Sequence, residues 1–190
     1  MKIEERVDMY SPYGQYPCNK MYLSSGYPDF MGNVPENAYP KVYGNNYPYS
    51  RHTGWRDYGP EPFVVNIEDA AKMNQNFRTA LWTGNHLQLT LMSLDVGEDI
   101  GLEMHPDVDQ FIRIEQGQGI VVMGDNPNIL NFQQWVYADY AIFIPAGKWH
   151  NLINTGHVPL KLYSIYAPPQ HPPGTIHPTR ADAMASEEYH

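Results

Sequence analysis

The feature that most constrains the fold is a series of short apolar runs, separated by turn signals, that begins at His86. The runs cover residues 86–94, 101–105, 110–115, 119–123, 131–137, 140–144, 150–154 and 159–166. Gly-Gln-Gly at 117–119 and Gly-Asp-Asn-Pro at 124–127 are typical of turns between strands. Short strands at such close spacing predict an all-β sandwich or barrel.

A short stretch of different character precedes these runs. Phe63-Val64-Val65 is a strand candidate, and Asn66 then stands where a helix N-cap is expected, with Asp69 in the first turn. A weakly amphipathic pattern continues from there to Leu81. We therefore expect one short helix before the barrel.

The chain divides by composition into an extension (residues 1–62), a barrel (63–167) and a C-terminal tail (168–190). Ten of the fifteen tyrosines lie in the extension, interspersed with prolines in repeated Tyr-Pro and Pro-Tyr steps. Proline fixes φ and moves its predecessor out of the α region, which predicts largely irregular chain. The extension is interpreted either as a loose segment around the barrel or as a tyrosine-rich surface that packs on other proteins. We expect the tail to pack on the barrel before it frays.

Charge and cysteine content restrict the function. The net charge is −9 and the 12 Lys and Arg are scattered, so we expect no nucleic-acid partner. No apolar run reaches the roughly 18 residues of a membrane span, and the N-terminus does not resemble a secretory signal, so we expect no membrane association and a cytoplasmic location. Cys18 is the single cysteine, in a Tyr/Pro/Gly-rich stretch without a neighbouring base, and is not expected to be a functional thiol.

Two residues of one predicted strand suggest metal chemistry. Side chains two positions apart on a strand face the same side, which directs Glu103 and His105 together into the barrel. A carboxylate oxygen and an imidazole nitrogen both bind divalent ions at about 2.0–2.2 Å. The remaining ligands do not follow from this pair alone.

The surrounding sequence resembles the two motifs of the cupin family. The first is Gly97-x5-Glu103-x-His105-x4-Gln110-x6-Gly117, and the second is Asp139-x5-Pro145-x-Gly147-x2-His150-x3-Asn154. The resemblance covers residues 63–166 and implies a double-sheet, jelly-roll barrel with one divalent metal ion.

Matched position by position, the resemblance implies four metal ligands, Glu103, His105, Gln110 and His150. Glu103 stands where the family has its first histidine, and Gln110 where it has glutamate, so the set keeps a single negative charge. Two alternatives stay open, a site that uses Asp107 or Asp109 and a barrel without metal, because Pro106 interrupts the strand. Manganese, iron, zinc and nickel suit mixed oxygen and imidazole ligands, and copper suits them less.

Residues near these ligands are pocket candidates. Strand parity directs Ile112 and Ile114 inward, where we expect core packing. Phe143 and Trp149 are further pocket candidates, and Lys148 is a candidate for the pocket mouth, where it would meet an anionic substrate.

The resemblance implies three classes of function. The first is a metal-dependent isomerase or epimerase that acts on a small polar or sugar-like molecule, since the ligand composition is similar to that of the phosphomannose isomerase family. The alternatives are a metal-dependent dioxygenase and a non-catalytic structural or binding cupin of an assembly such as a spore coat. Exposed sheet edges and the family's habit imply a homodimer. No catalytic residue beyond the ligands is identified.

Overall fold

A computed structural model describes residues 54–187, and the predictions for Cys18 and for most of the Tyr/Pro-rich extension lie outside the described residues. The elements in chain order are α1 (Ile67–Met73), β1 (Arg78–Thr83), β2 (Gln88–Leu94), β3 (Asp109–Gln116), β4 (Gln118–Gly124), β5 (Phe132–Tyr137), β6 (Ala141–Ile144), β7 (Trp149–Asn154), β8 (Leu160–Ala167), β9 (Ile176–His177) and α2 (Arg180–Glu187). No helix among them is long and apolar enough to cross a membrane.

The strands form two antiparallel sheets with the main core between them. One sheet has the order β6-β3-β8-β2-β1-β9 and the other β5-β4-β7. The core cluster takes side chains from both sheets, including Ile112, Val121, Leu152 and Leu162, all nearly free of solvent contact. The predicted all-β jelly-roll barrel with a helix before it is therefore confirmed.

Strands β2, β8 and β3 are neighbours that line the barrel interior, and their inward side chains change from polar to apolar along each strand. The register of β2 and β8 pairs Gln88 with Tyr166, Thr90 with Ser164, Met92 with Leu162 and Leu94 with Leu160. These eight side chains share one face, because pairing partners two residues apart point the same way. The interior therefore has a polar end and an apolar end, and β3 follows the same order from Gln110 to Ile114.

A second, smaller cluster covers the outer face of the larger sheet. Ala70 and Ala71 of α1 pack there against Leu81 and Leu91, with residues of the preceding segment 55–67 around them. Asn66 is the N-cap of α1, as predicted, and its Oδ1 accepts a hydrogen bond from the Asp69 amide at 3.3 Å.

The predicted extent of the helix to Leu81 is wrong. The helix ends at Met73 because Asn74 is extended, and the Asn74 side chain bonds to the backbone of Asn76 instead of continuing the helix. Residues 78–83 form β1, which pairs with β2 and with β9. Residues 63–65 and 101–105 form no regular strand, and β9 and α2 were not predicted.

Candidate metal centre

Glu103 and His150 are held opposite each other by the backbone. The Glu103 amide donates to the His150 carbonyl at 3.0 Å, and the His150 amide donates to the Glu103 carbonyl at 2.9 Å. This isolated bridge attaches the segment before β3 to the start of β7. Their side chains therefore start from fixed positions.

His105 joins this pair although it lies outside any strand. Its carbonyl oxygen accepts a hydrogen bond from the Gly147 amide at 2.8 Å, which ties it to the turn before β7. Glu103 Oε1 lies 3.4 Å from His105 Nε2 and 3.3 Å from His150 Nε2. Among the described residues, these three form the cluster of acidic and histidine side chains whose ligand atoms converge.

The hydrogen bonding of His150 fixes the character of its ring nitrogens. His150 Nδ1 lies 2.9 Å from the Lys148 carbonyl oxygen, which can only accept, so Nδ1 carries the proton. Nε2 therefore faces the Glu103 carboxylate with a lone pair unless it too is protonated. A lone pair and a carboxylate oxygen 3.3 Å apart repel each other unless a proton or a metal ion bridges them. The arrangement fits a bound metal ion.

Gln110 presents an amide oxygen in the same buried interior. Its Nε2 donates to Ser164 Oγ at 3.0 Å, which leaves Oε1 free to bind an ion. Gln110 pairs in register with Tyr166, whose ring meets the His105 ring edge-on at 5.8 Å between centroids. The four sequence-derived ligand atoms, Glu103 Oε1, His105 Nε2, Gln110 Oε1 and His150 Nε2, are all buried and without a hydrogen-bond partner in the part of the chain that the structure describes.

Glu103 remains charged in this environment. Burial by itself raises the pKa of Glu103, but the two imidazoles beside it and the positive charge of Arg78 outweigh burial and hold the pKa well below its usual value. Arg78 is completely buried at the start of β1. The centre therefore combines one carboxylate with two imidazoles and one amide.

A cavity of about 730 Å³ adjoins the cluster. Glu103, Met104 and His105 line one part of it, and six residues between Gln170 and Ser186 line the rest. A volume of this size accommodates a small organic molecule. The centre is thus reached from a chamber bordered by the C-terminal segment.

The alternative ligands and the pocket-mouth residue predicted from the sequence lie away from the cluster. Asp107 is exposed, and Asp109 Oδ1 accepts a hydrogen bond from the Ala146 amide at 2.9 Å. Lys148 forms an ion pair with exposed Asp125 and does not line the cavity.

The apolar candidates divide between the core and the surface. Ile112 and Ile114 face the core, as expected from parity. Phe143 does not line the 730 Å³ cavity; it is 72% exposed on β6 and lines a separate cavity of about 370 Å³ together with Gln110. Trp149 is partly buried and does not line the cavity.

Three residues near the centre were not predicted from the sequence. His171 and His177 line the cavity, but their Pro-rich flanks carry no strand or motif signal. Arg78 fell within the overextended helix prediction. Had residues 78–83 been predicted as a buried strand, Arg78 would have been a charged residue inside the barrel, which is rare in proteins and often functional.

Comparison with known proteins places these features in a family. Residues 90–166 match the model described as "Cupin domain". The protein YrkC of Bacillus subtilis is 69% identical over 133 residues, which cover 70% of this chain and 72% of YrkC. Protein L612 of Acanthamoeba polyphaga mimivirus is 42% identical over 125 residues, 65% of this chain and 76% of L612. The crystal structure of BH2720 from Bacillus halodurans is similar with a TM-score of 0.68 at 67% identity, and covers 68% of this chain and 98% of BH2720.

Proposed function

The chain belongs to the cupin superfamily, and from that premise we propose that it is a metal-dependent enzyme that isomerises or epimerises a small polar, sugar-like molecule. One observation carries the proposal: the ligand atoms of Glu103, His105 and His150 converge, these three residues and Gln110 each bury a polar atom without a hydrogen-bond partner within residues 54–187, and a 730 Å³ cavity adjoins Glu103 and His105. Buried polar atoms without partners are costly, and a group of them around converging ligand atoms favours a bound ion.

Glu103, His105, Gln110 and His150 would hold one divalent ion, with manganese, iron, zinc and nickel as the candidates. Such an ion, when bound, supplies polarisation of a substrate carbonyl or hydroxyl. The carboxylate of Glu103 offsets part of the positive charge. The Lys148 carbonyl fixes the His150 tautomer, and the Ser164 hydroxyl orients the Gln110 amide.

The cavity supports a polar substrate. Besides the cluster, its wall carries the hydrogen-bonding side chains of Gln170, His171, Thr175, His177 and Ser186. Hydroxyl groups of a sugar-like molecule can pair with such groups, whereas an apolar molecule would leave them without partners.

The test measures metal content and proton exchange on the full-length protein. Elemental analysis of wild type, Glu103→Gln and Asp107→Asn gives the metal per chain, with exposed Asp107 as the control carboxylate. NMR in D₂O then follows deuterium incorporation into a panel of aldoses, ketoses and their phosphates, since isomerases and epimerases that work by proton transfer label the carbon. One metal per chain with labelling that Glu103→Gln abolishes supports the proposal, and wild type without metal contradicts it.

The two alternatives predict different outcomes of the same experiment. A dioxygenase would consume oxygen with a suitable substrate and leave sugars unlabelled. A structural or binding cupin, such as a spore-coat component, would retain metal without either activity. Both alternatives would contradict the isomerase proposal while retaining the metal centre.

We also propose that the chain forms a homodimer through the exposed aromatic side chains near β5 and β6. Both are edge strands of their sheets, and Phe132, Trp135 and Phe143 are 53%, 51% and 72% exposed. Exposed aromatic patches at sheet edges favour association. Sedimentation of full-length wild type and Trp135→Ser tests this, because only the wild type should sediment as a dimer at micromolar concentration. A monomeric wild type contradicts the proposal.

A further inference from the structure

Most of the cavity wall lies beyond the match to the cupin domain, which ends at residue 166. Six lining residues follow that point, namely Gln170, His171, Pro172, Thr175, His177 and Ser186. The matched part of the chain supplies the proposed ligands, whereas the following segment supplies most of the surface that a substrate would meet. A molecule bound in the cavity would therefore contact mainly this segment.

The segment is fixed against the barrel by specific contacts. Gln88, completely buried in β2, accepts a hydrogen bond from the His171 amide and donates one to the His171 carbonyl, both at 2.9 Å. Arg180 donates to the Asp99 side chain at 2.9 Å, and Ala183 belongs to the main core. These contacts make the segment a wall of defined position.

His171 is the residue of this wall with the most specific placement. Its ring meets Tyr166 edge-on at 5.0 Å between centroids, and Tyr166 in turn meets His105. Its Nε2 is buried and has no hydrogen-bond partner among residues 54–187. The four proposed ligand atoms are likewise buried and without a hydrogen-bond partner in the described part of the chain. A buried polar atom in this state favours a partner that arrives with a bound molecule.

The His171 ring is uncharged at ordinary pH. Burial and the positive charge of Arg78 lower the pKa of His171 from 6.5 to about 3. Glu103 opposes this shift, and His105 and His177 add to it. A neutral imidazole does not repel a nearby cation, and it can accept a hydrogen bond from a hydroxyl or donate one to it, whichever tautomer is present.

We propose that His171 binds the substrate by a hydrogen bond from its imidazole to a hydroxyl group of a molecule held at the metal centre. This inference rests on the proposed function, because the metal centre positions the molecule. It makes His171 a specificity-determining residue for hydroxyl-bearing compounds. It also assigns that role to a residue outside the part of the chain that carries the cupin motifs.

The experiment uses two probes that differ by one hydroxyl. Acetohydroxamate and glycolohydroxamate both chelate divalent ions through the hydroxamate, and only the second carries an additional hydroxyl. Their dissociation constants are measured from the visible spectrum of the Co(II)-loaded full-length protein. Variants are His171→Phe, which keeps an aromatic ring against Tyr166, and His157→Phe at an exposed histidine as the control.

We expect wild type and His157→Phe to bind glycolohydroxamate about tenfold more tightly than acetohydroxamate, the usual worth of one buried hydrogen bond. His171→Phe should bind both probes equally and keep its Co(II). An unchanged preference in His171→Phe, or no preference in wild type, overturns the proposal.

The remaining outcomes separate this proposal from the proposed function. Loss of Co(II) in His171→Phe would mean that His171 supports the ligands and would overturn the role in substrate binding. Failure of wild type to bind Co(II) would contradict the metal centre itself. Circular dichroism checks folding, and His171→Leu replaces His171→Phe if the latter unfolds.

Discussion

The two ends of the barrel interior are built by the same strands but from opposite kinds of side chain. At one end β2, β3 and β8 bury Gln88, Thr90, Gln110, Ser164 and Tyr166, and at the other end they bury Met92, Leu94, Ile114, Leu160 and Leu162. Burial of apolar groups stabilises the fold, whereas burial of polar groups costs free energy unless they are paired. The apolar end therefore provides stability, and the polar end is the one to which we assign binding.

The largest expected effect is a loss of stability when a side chain of the apolar end is truncated. Leu162→Ala removes a completely buried side chain from the core and should lower the free energy of unfolding by about 3 kcal/mol. Urea unfolding with a chelator present measures this loss, and Leu87→Ala, at a partly exposed leucine, should cost much less. Metal content per folded chain should stay at the wild-type level. A loss of metal in folded Leu162→Ala would contradict the division between the two ends.

Glu103→Gln breaks the polar end without changing its shape. Removal of the single anionic ligand should weaken metal binding about a hundredfold, measured by competition with a chromophoric chelator. Gln110→Glu, which adds a carboxylate where the family has one, should bind at least as well as wild type.

Three further variants test the same prediction. His105→Ala and His150→Ala should be as severe as Glu103→Gln, and exposed Asp107→Asn should be mild. Full metal occupancy in Glu103→Gln together with loss in Asp107→Asn would move the carboxylate ligand to the other side of Pro106.

Ser164→Ala should cause a smaller loss of metal affinity at the polar end than Glu103→Gln. The hydroxyl accepts a hydrogen bond from Gln110 Nε2, so its loss should free the amide to rotate and weaken metal binding about tenfold. Ser93→Ala is the matched control, because Ser93 Oγ is also buried but accepts from Lys161 outside the polar interior. Equal effects of the two substitutions on metal affinity would show that the Ser164 contact has no special role.

The last prediction concerns acid stability and is smallest when measured over a single pH unit. The pKa of His171 is lowered from 6.5 to about 3 by burial and by Arg78, so below pH 6.5 the unfolded chain takes up a proton that the folded chain does not. The contribution of this residue to stability is therefore complete above pH 6.5 and falls as the pH is lowered towards 3. Metal-free wild type should lose stability more steeply than His171→Phe in this range, by at most about 1.4 kcal/mol per pH unit for one proton. Identical slopes in denaturant titrations would contradict the prediction.

The barrel strands could be predicted because their signals are local. Seven of the eight predicted runs correspond to strands β2 to β8, since each carries its own apolar run and turn residues. Strand β1 could not be predicted in this way. It pairs mainly with β2, which begins five residues after β1 ends, but the N-cap signal at Asn66 and the amphipathic pattern after it extended the helix prediction across residues 78–81.

The candidate site was predictable to the extent that motif spacing determines it. The spacing gave Glu103, His105 and His150, which the structure brings together, and Gln110, which it buries with a free amide oxygen. The spacing carried no information about Arg78 or His171. Arg78 depends on the register of β1, and His171 depends on the hydrogen bonds that its backbone forms with Gln88. The contact between Gln88 and His171 joins residues 83 positions apart, which no local motif reveals.

The reciprocal backbone bridge between Glu103 and His150 has an energetic consequence for loading with metal. Two of the proposed ligands are brought together by main-chain hydrogen bonds that form when the barrel folds. The entropy lost in gathering them is therefore spent during folding rather than when the ion arrives. Preorganisation of this kind raises affinity without any additional contact to the ion.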